Sequence, residues 1–154
     1  LRRESDGLAS RPLTDLLSEL ADYGLAWRDI ARLVGVSVPA LRKWRQGEPA
    51  TGENRLKVAR LVGLCHLLKE HGLIDDPASW LELPLVYDVP VSGIDLLAAG
   101  RTDLLFRRAL HHDADPEAIL DEFDPDWRAT YRGAFEVFEA EDGLPGLRIR
   151  DVDG

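Results

Sequence analysis

Apolar residues recur at helical spacing along most of the chain, and the pattern changes to alternation only near its end. Between Pro12 and Tyr23, Leu13, Leu16, Leu17 and Leu20 lie on one face, which predicts a helix ended by Gly24. Between Trp27 and Gly47 two shorter stripes follow. Ile30, Ala31 and Val34 mark the first, and Gly35 ends it because glycine accepts the left-handed backbone of a sharp exit. Ser37 is placed to cap the next helix and Pro39 suits its first turn, where no intrahelical N–H bond is lost. Leu41 and Trp44 then point inward at i and i+3, and Gly47 closes the segment.

Glu53 to His71 predicts a longer helix whose middle, LVGLCHLL, is apolar nearly all round, the mark of burial on several sides. One face is expected on the first region and another on the C-terminal region or a second copy. Gly72 to Pro77 breaks the pattern. Trp80, Leu81 and Leu83 form a short helix stopped by Pro84, and Leu85 to Val91 reads as extended and able to form a short strand. Ser92 caps a helix running to Ala99 and ended by Gly100; Arg101 to His112 gives another, carrying Leu104, Leu105, Phe106 and Leu110. Asp115 and Pro116 open a third, with Ile119, Leu120 and Phe123 inward, and Trp127 and Tyr131 mark a further helical turn or two. After Gly133, Phe135, Val137 and Glu139 alternate with Glu136 and Phe138, then come Gly143, Pro145 and Gly146, then Leu147 and Ile149 alternate with arginines. That predicts a β-hairpin, which needs support from its own domain or a partner. The fold class expected is mainly α: a helix-turn-helix bundle over residues 1–71, then a small α-rich region over 72–154 ending in a β-hairpin.

Two short helices joined by a tight turn in this register are expected to form a DNA-reading unit. Pro39, Ala40, Arg42, Lys43 and Gln46 are left on the outer face of the second helix, where arginine and lysine pair with guanine edges and glutamine with adenine. Arg28, Ser37 and Arg45 complete the motif's candidate contacts. A plain helical hairpin with a solvated basic face is the competing reading; it does not require the glycine, the cap and both anchors to fall in register. The following loop, EPATGEN, leads into Thr51, Asn54, Arg55 and Lys57, candidates for phosphate contacts that position the protein without reading bases. A surface loop of scattered charge would look the same. Arg2 and Arg3, in the polar start of the chain, are either further contacts or part of a loose arm.

Charge sharpens this division. The net charge is −9, yet residues 24–60 carry eight basic and three acidic side chains, whereas residues 111–154 carry four and thirteen. Positive charge is thus concentrated on the motif, where it can neutralise phosphates. The acidic part holds a second job or only keeps the protein soluble. No apolar run reaches membrane-spanning length and no signal segment opens the chain, so a cytoplasmic protein with no membrane partner is expected. There is no methionine, even at position 1, so the native start is expected upstream.

Candidate chemistry is sparse. Cys65 is the single cysteine, which excludes an internal disulfide and a cysteine-based zinc cluster. Cys65 and His66 are adjacent on a helix and diverge, and with His71 they lack a fourth ligand, so no metal and no cofactor are expected. His111 and His112 beside Asp113 and Asp115, and the run Asp121, Glu122, Asp124, Asp126, carry no phosphate loop, nucleophile elbow or ligand spacing, and no enzyme is expected.

The order of a helix-turn-helix ending KWRQG, then WLELPL, then PVSGIDLLAAGRTDLLFRRAL, resembles the Xre-type antitoxins of the MbcA/ParS group over residues 25–112. Trp80, Leu81 and Pro84 match the first part of that group's second region, and Pro90, Leu96, Leu97 and Gly100 the second. The resemblance implies an Xre-like DNA-binding domain and a protein that represses its own operon while neutralising a RES-type toxin that degrades NAD. Its partner-binding residues would then include Trp80, Leu81, Leu96 and Leu97. The group usually ends soon after this region, often with a segment reaching the toxin's active site; here the chain runs on from Asp113 to Gly154, and Arg148 and Arg150 are candidates for that role or for structural hairpin residues. The expectation is a sequence-specific transcriptional regulator that binds double-stranded DNA, as a homodimer, with a toxin as protein partner. A stand-alone repressor whose second region only dimerises is the alternative.

Overall fold

The computed structural model describes residues 7, 8, 10–111 and 113–132, together with the backbone of residues 135–139 and 145–149. Helix α1, Leu13–Asp22, buries the four leucines of its stripe. Helix α2, Trp27–Val34, buries Ile30, Ala31 and Val34 and ends at Gly35, whose φ of 83° is the left-handed conformation an L side chain resists. Ser37 Oγ accepts from the Ala40 N–H at 3.2 Å and starts α3, Val38–Arg45, which buries Leu41 and Trp44. The two helices and their turn thus form for the reasons legible in their residues.

Helix α4, Gly52–Glu70, is the longest, 19 residues. Thr51 caps it by accepting from the Asn54 N–H at 3.2 Å. Val58, Ala59, Leu61, Val62, Leu64, Cys65 and Leu68 are all buried, on more faces than a surface helix allows. Both expected neighbours are there: α1 and α2 pack on it, and so does α5, Pro77–Glu82, started by Asp76 accepting from the Ser79 N–H.

Helix α6, Gly93–Ala98, opens with the Ser92 N–H donating to Asp95 Oδ2 at 2.8 Å. A Cβ on Gly93 would stand 3.0 Å from a Leu105 methyl and 3.1 Å from one of Leu81, so the missing side chain sets how closely α6 approaches its neighbours. Helix α7, Thr102–Leu110, and α8, Pro116–Phe123, follow, the latter capped by Asp115. A π-helical turn, Arg128–Arg132, comes after the fully buried Trp127. One hydrophobic core runs through all of this, from Leu16 and Ile30 through Val62 to Leu81, Leu96, Leu104, Ile119 and Trp127. Among the described residues, no helix is long and apolar enough to cross a membrane.

Two expectations are corrected. Leu85 to Val91 is not a strand but a turn, closed by a single antiparallel bridge between Pro84 and Ser92 and by the Leu85 N–H donating to the Val91 carbonyl at 2.9 Å. Its valines and Leu85 are turned into the helical core instead of along a ladder: Leu85, Val89 and Val91 are buried. The fold class is corrected too. The body is mainly helical, and a β-hairpin is not one of the elements that build it. Among the described residues, the strands β1, Phe135–Glu139, and β2, Pro145–Ile149, pair with each other, antiparallel, with Phe135 opposite Ile149 and Glu139 opposite Pro145. Two short strands offer too little surface for a core of their own, so the helices alone define the fold.

Candidate nucleic-acid interface

Helix α3 holds its outer residues where the sequence places them. Leu41 and Trp44 are 1% and 7% exposed and fasten the helix to the core, while Pro39, Arg42, Lys43, Arg45 and Gln46 are exposed and Ala40 is half-buried. Among the described residues, none of Arg28, Arg42, Lys43 and Arg45 makes an ion pair with an acidic side chain. Arg45 lies with its guanidinium 4.0 Å from the centroid of the Trp27 ring, a stacking contact that orients the cation without neutralising it. Arg42, Arg45 and Gln46 line one side of an open cleft of about 540 Å³, with Thr14, Ser18 and Asp22 of α1 on the other.

The remaining candidates divide. The hydroxyls of Ser37 and Thr51 serve as helix caps, and the Asn54 N–H is the donor to one of them. Arg55 is turned inward: its Nη2 donates to the Arg11 carbonyl at 2.7 Å, so it ties α4 to the chain before α1 instead of facing outward. Lys57 lies 3.5 Å from Glu53 one turn earlier, a loose surface pair. The same region contains a network the sequence did not suggest. Glu19 of α1 bonds His66 Nε2 at 2.7 Å through one oxygen and Arg11 at 2.9 Å through the other. Burial pushes the Glu19 carboxyl up, but the hydrogen bonds from His66 and Arg11 outweigh it and hold the group below its ordinary value. His66 thus faces Glu19, and Cys65 beside it is buried with its thiol pushed up to about 12, first by burial and then by the Glu19 charge.

The partner-binding candidates are not brought together on a surface. Leu81 and Leu96 are fully buried and join α5 and α6 to the common core, which removes them as contacts for another protein. Trp80 is half-buried under Arg108, whose guanidinium carbon lies 4.9 Å from the ring centroid. Leu97 is half-buried and lines a shallow groove with Leu33, Lys57, Arg60, Leu61 and Leu64. Arg148 sits in β2 opposite Glu136, and Arg150, like Arg2 and Arg3, lies outside the described residues.

A polar contact between the two halves was also missed. Arg32 of α2 donates to Asp95 Oδ1 at 2.9 Å, across 63 residues of sequence. No spacing rule reaches that far. The Trp27–Arg45 stack had a weak signal, an aromatic opening one helix and an arginine closing the next. Comparison with known proteins returned no matching family model, no matching curated protein and no matching solved structure.

Proposed function

We propose that this chain is a sequence-specific DNA-binding transcriptional regulator that reads the major groove with α3. The observation that carries the reading is the set of cations on and beside that helix, Arg28, Arg42, Lys43 and Arg45, exposed and without ion pairs among the described residues, in a protein whose net charge is −9. Unpaired cations on a rigid helix are what a phosphate backbone and guanine edges require. A gel shift on the DNA upstream of the protein's own gene, repeated over a range of salt, tests it. A discrete complex whose affinity falls steeply with salt and exceeds that for random DNA supports the reading; no complex at low salt rejects it.

The protein-partner half of the function, an antitoxin restraining a RES-like toxin, rests on the resemblance of residues 80–100 to the MbcA/ParS group. With Leu81 and Leu96 in the core, Trp80 and Leu97 are the residues of that set with surface left to offer. Co-expression with the neighbouring gene product tests it. A co-purifying pair in which the neighbour alone is toxic supports the antitoxin, and a harmless, unbound neighbour leaves the stand-alone repressor.

A further inference from the structure

Two residues of α1 with free hydroxyls share a cleft with the cations of α3. Thr14 and Ser18 stand one helical turn apart and line the space of about 540 Å³ whose other wall is Arg42, Arg45 and Gln46. Neither hydroxyl, nor the Gln46 amide, makes a side-chain hydrogen bond among the described residues. The hydroxyls of Ser37 and Thr51, which the sequence nominates, are by contrast occupied as helix caps. Arg45 is the cation fixed in this cleft, because its guanidinium lies 4.0 Å from the Trp27 ring centroid and, among the described residues, has no carboxylate partner. Arg42 lines the cleft without such a stack and keeps the base-reading role. One carboxylate, Asp22, also lines it, a further turn along α1, and pairs with neither arginine among the described residues.

We infer that this cleft seats one phosphodiester of the DNA backbone, held by Arg45 and by the hydroxyls of Thr14 and Ser18. The inference rests on the DNA reading above and adds to it a strand contact on α1, outside the helix-turn-helix. Hydroxyl donors facing a fixed cation suit an anionic oxygen and carry no preference among bases, so the contact sets the register of α3 and not the sequence it reads. Asp22 is the one group in the seat that repels a phosphate. Two neighbours on one face of α1 therefore act in opposite senses: losing the Ser18 hydroxyl weakens the complex, and losing the Asp22 charge strengthens it.

Fluorescence anisotropy of the full chain on the duplex upstream of its own gene and on a random duplex, over a range of salt, tests the seat. Ser18→Ala should weaken binding to both duplexes alike, by roughly tenfold, as loss of a hydrogen bond to a charged group does. Its melting curve should be unchanged, since Ser18 is exposed. Arg45→Ala should lower the slope of log affinity against log salt by about 1. Asp22→Asn should tighten binding, and by more than Asp15→Asn, the same charge change on an exposed residue of α1 that does not line the cleft. Among duplexes that each carry a single uncharged methylphosphonate, one linkage should weaken the wild type and leave Ser18→Ala no weaker. Wild-type affinity in Ser18→Ala, a loss confined to the upstream duplex, an unchanged salt slope in Arg45→Ala, equal gains from Asp22→Asn and Asp15→Asn, or the absence of such a linkage would each overturn the seat and leave the DNA reading standing. A wild type that forms no complex overturns both.

Discussion

Most arginines at the two ends of this molecule are held in opposite ways, Arg32 on α2 and Arg108 on α7 being the exceptions. Around α2 and α3, Arg28, Arg42 and Arg45 point outward with no acidic partner among the described residues. From α7 onward four arginines are clasped by carboxylates, while Arg108 stacks on Trp80 with no acidic partner among the described residues. Arg101 bonds Asp103, Arg107 bonds Glu122 at 2.8 Å, and Arg128 and Arg132 bond Glu117, with Arg128 also on Asp121. Arg128 and Arg132 further stack on Trp127, whose indole N–H donates to Asp121 at 2.8 Å. Charge tuning follows the same division: hydrogen bonds from Trp127 and then Arg128 hold Asp121 below the usual carboxylate range, and the bond to Glu122 makes Arg107 still more basic. The difference teaches that a residue count cannot identify a nucleic-acid surface. A cation that already has a carboxylate must lose it before it can meet a phosphate, and among the described residues the first group carries no such cost.

The comparison can be broken most forcefully at its anchor. Trp44→Ala should cost roughly 3–5 kcal/mol, as truncating a buried aromatic does, and abolish DNA binding with it; chemical denaturation measures the first and a gel shift the second. Unchanged stability would show that α3 is held by something other than its core contacts. Next, Arg42→Ala should weaken operator binding by about 1–3 kcal/mol and relax preference at one base, with the melting temperature unaltered. Arg107→Ala, its clasped counterpart, should leave DNA affinity as it was. Equal losses from the two would erase the distinction drawn here. Gly35→Ala should destabilise by about 1–2 kcal/mol, because φ of 83° now carries a Cβ.

The smallest effect concerns pH. Glu19 has a lowered folded-state pKa, so the stability it contributes is present above its ordinary value of 4.5 and is lost as pH falls through the folded value. Melting temperatures of wild type and Glu19→Gln, measured from neutral pH to well below 4.5, should therefore converge on acidification. A gap of constant size would remove the His66–Glu19–Arg11 network from the acid response.

The helix-turn-helix was legible because its causes are local. Gly35, the Ser37 cap, and Leu41 with Trp44 each act within a few residues, and each took the role its chemistry assigns. The second half was legible as helices but not as surfaces. The resemblance puts Leu81 and Leu96 against a partner, yet they face the core, because a match of residue types carries no account of what covers them in this chain. Leu85 to Val91 misled for a related reason: β-branched residues favour strands only where a neighbouring strand exists to pair with them, and here the helices take up the buried side chains. The Arg32–Asp95 bridge and the Glu19 network depend on helices distant in sequence and follow only from the packed fold.

Helix α4 has one more consequence, as a ruler. Its 19 residues, at roughly 1.5 Å each, make a rod about 28 Å long. One end carries Thr51, just beyond α3, and the other carries a groove lined by Leu67, Leu68, His71 and Gly72. A single continuous helix therefore fixes the distance from the α3 side of the molecule to that groove, with no pliable linker along it.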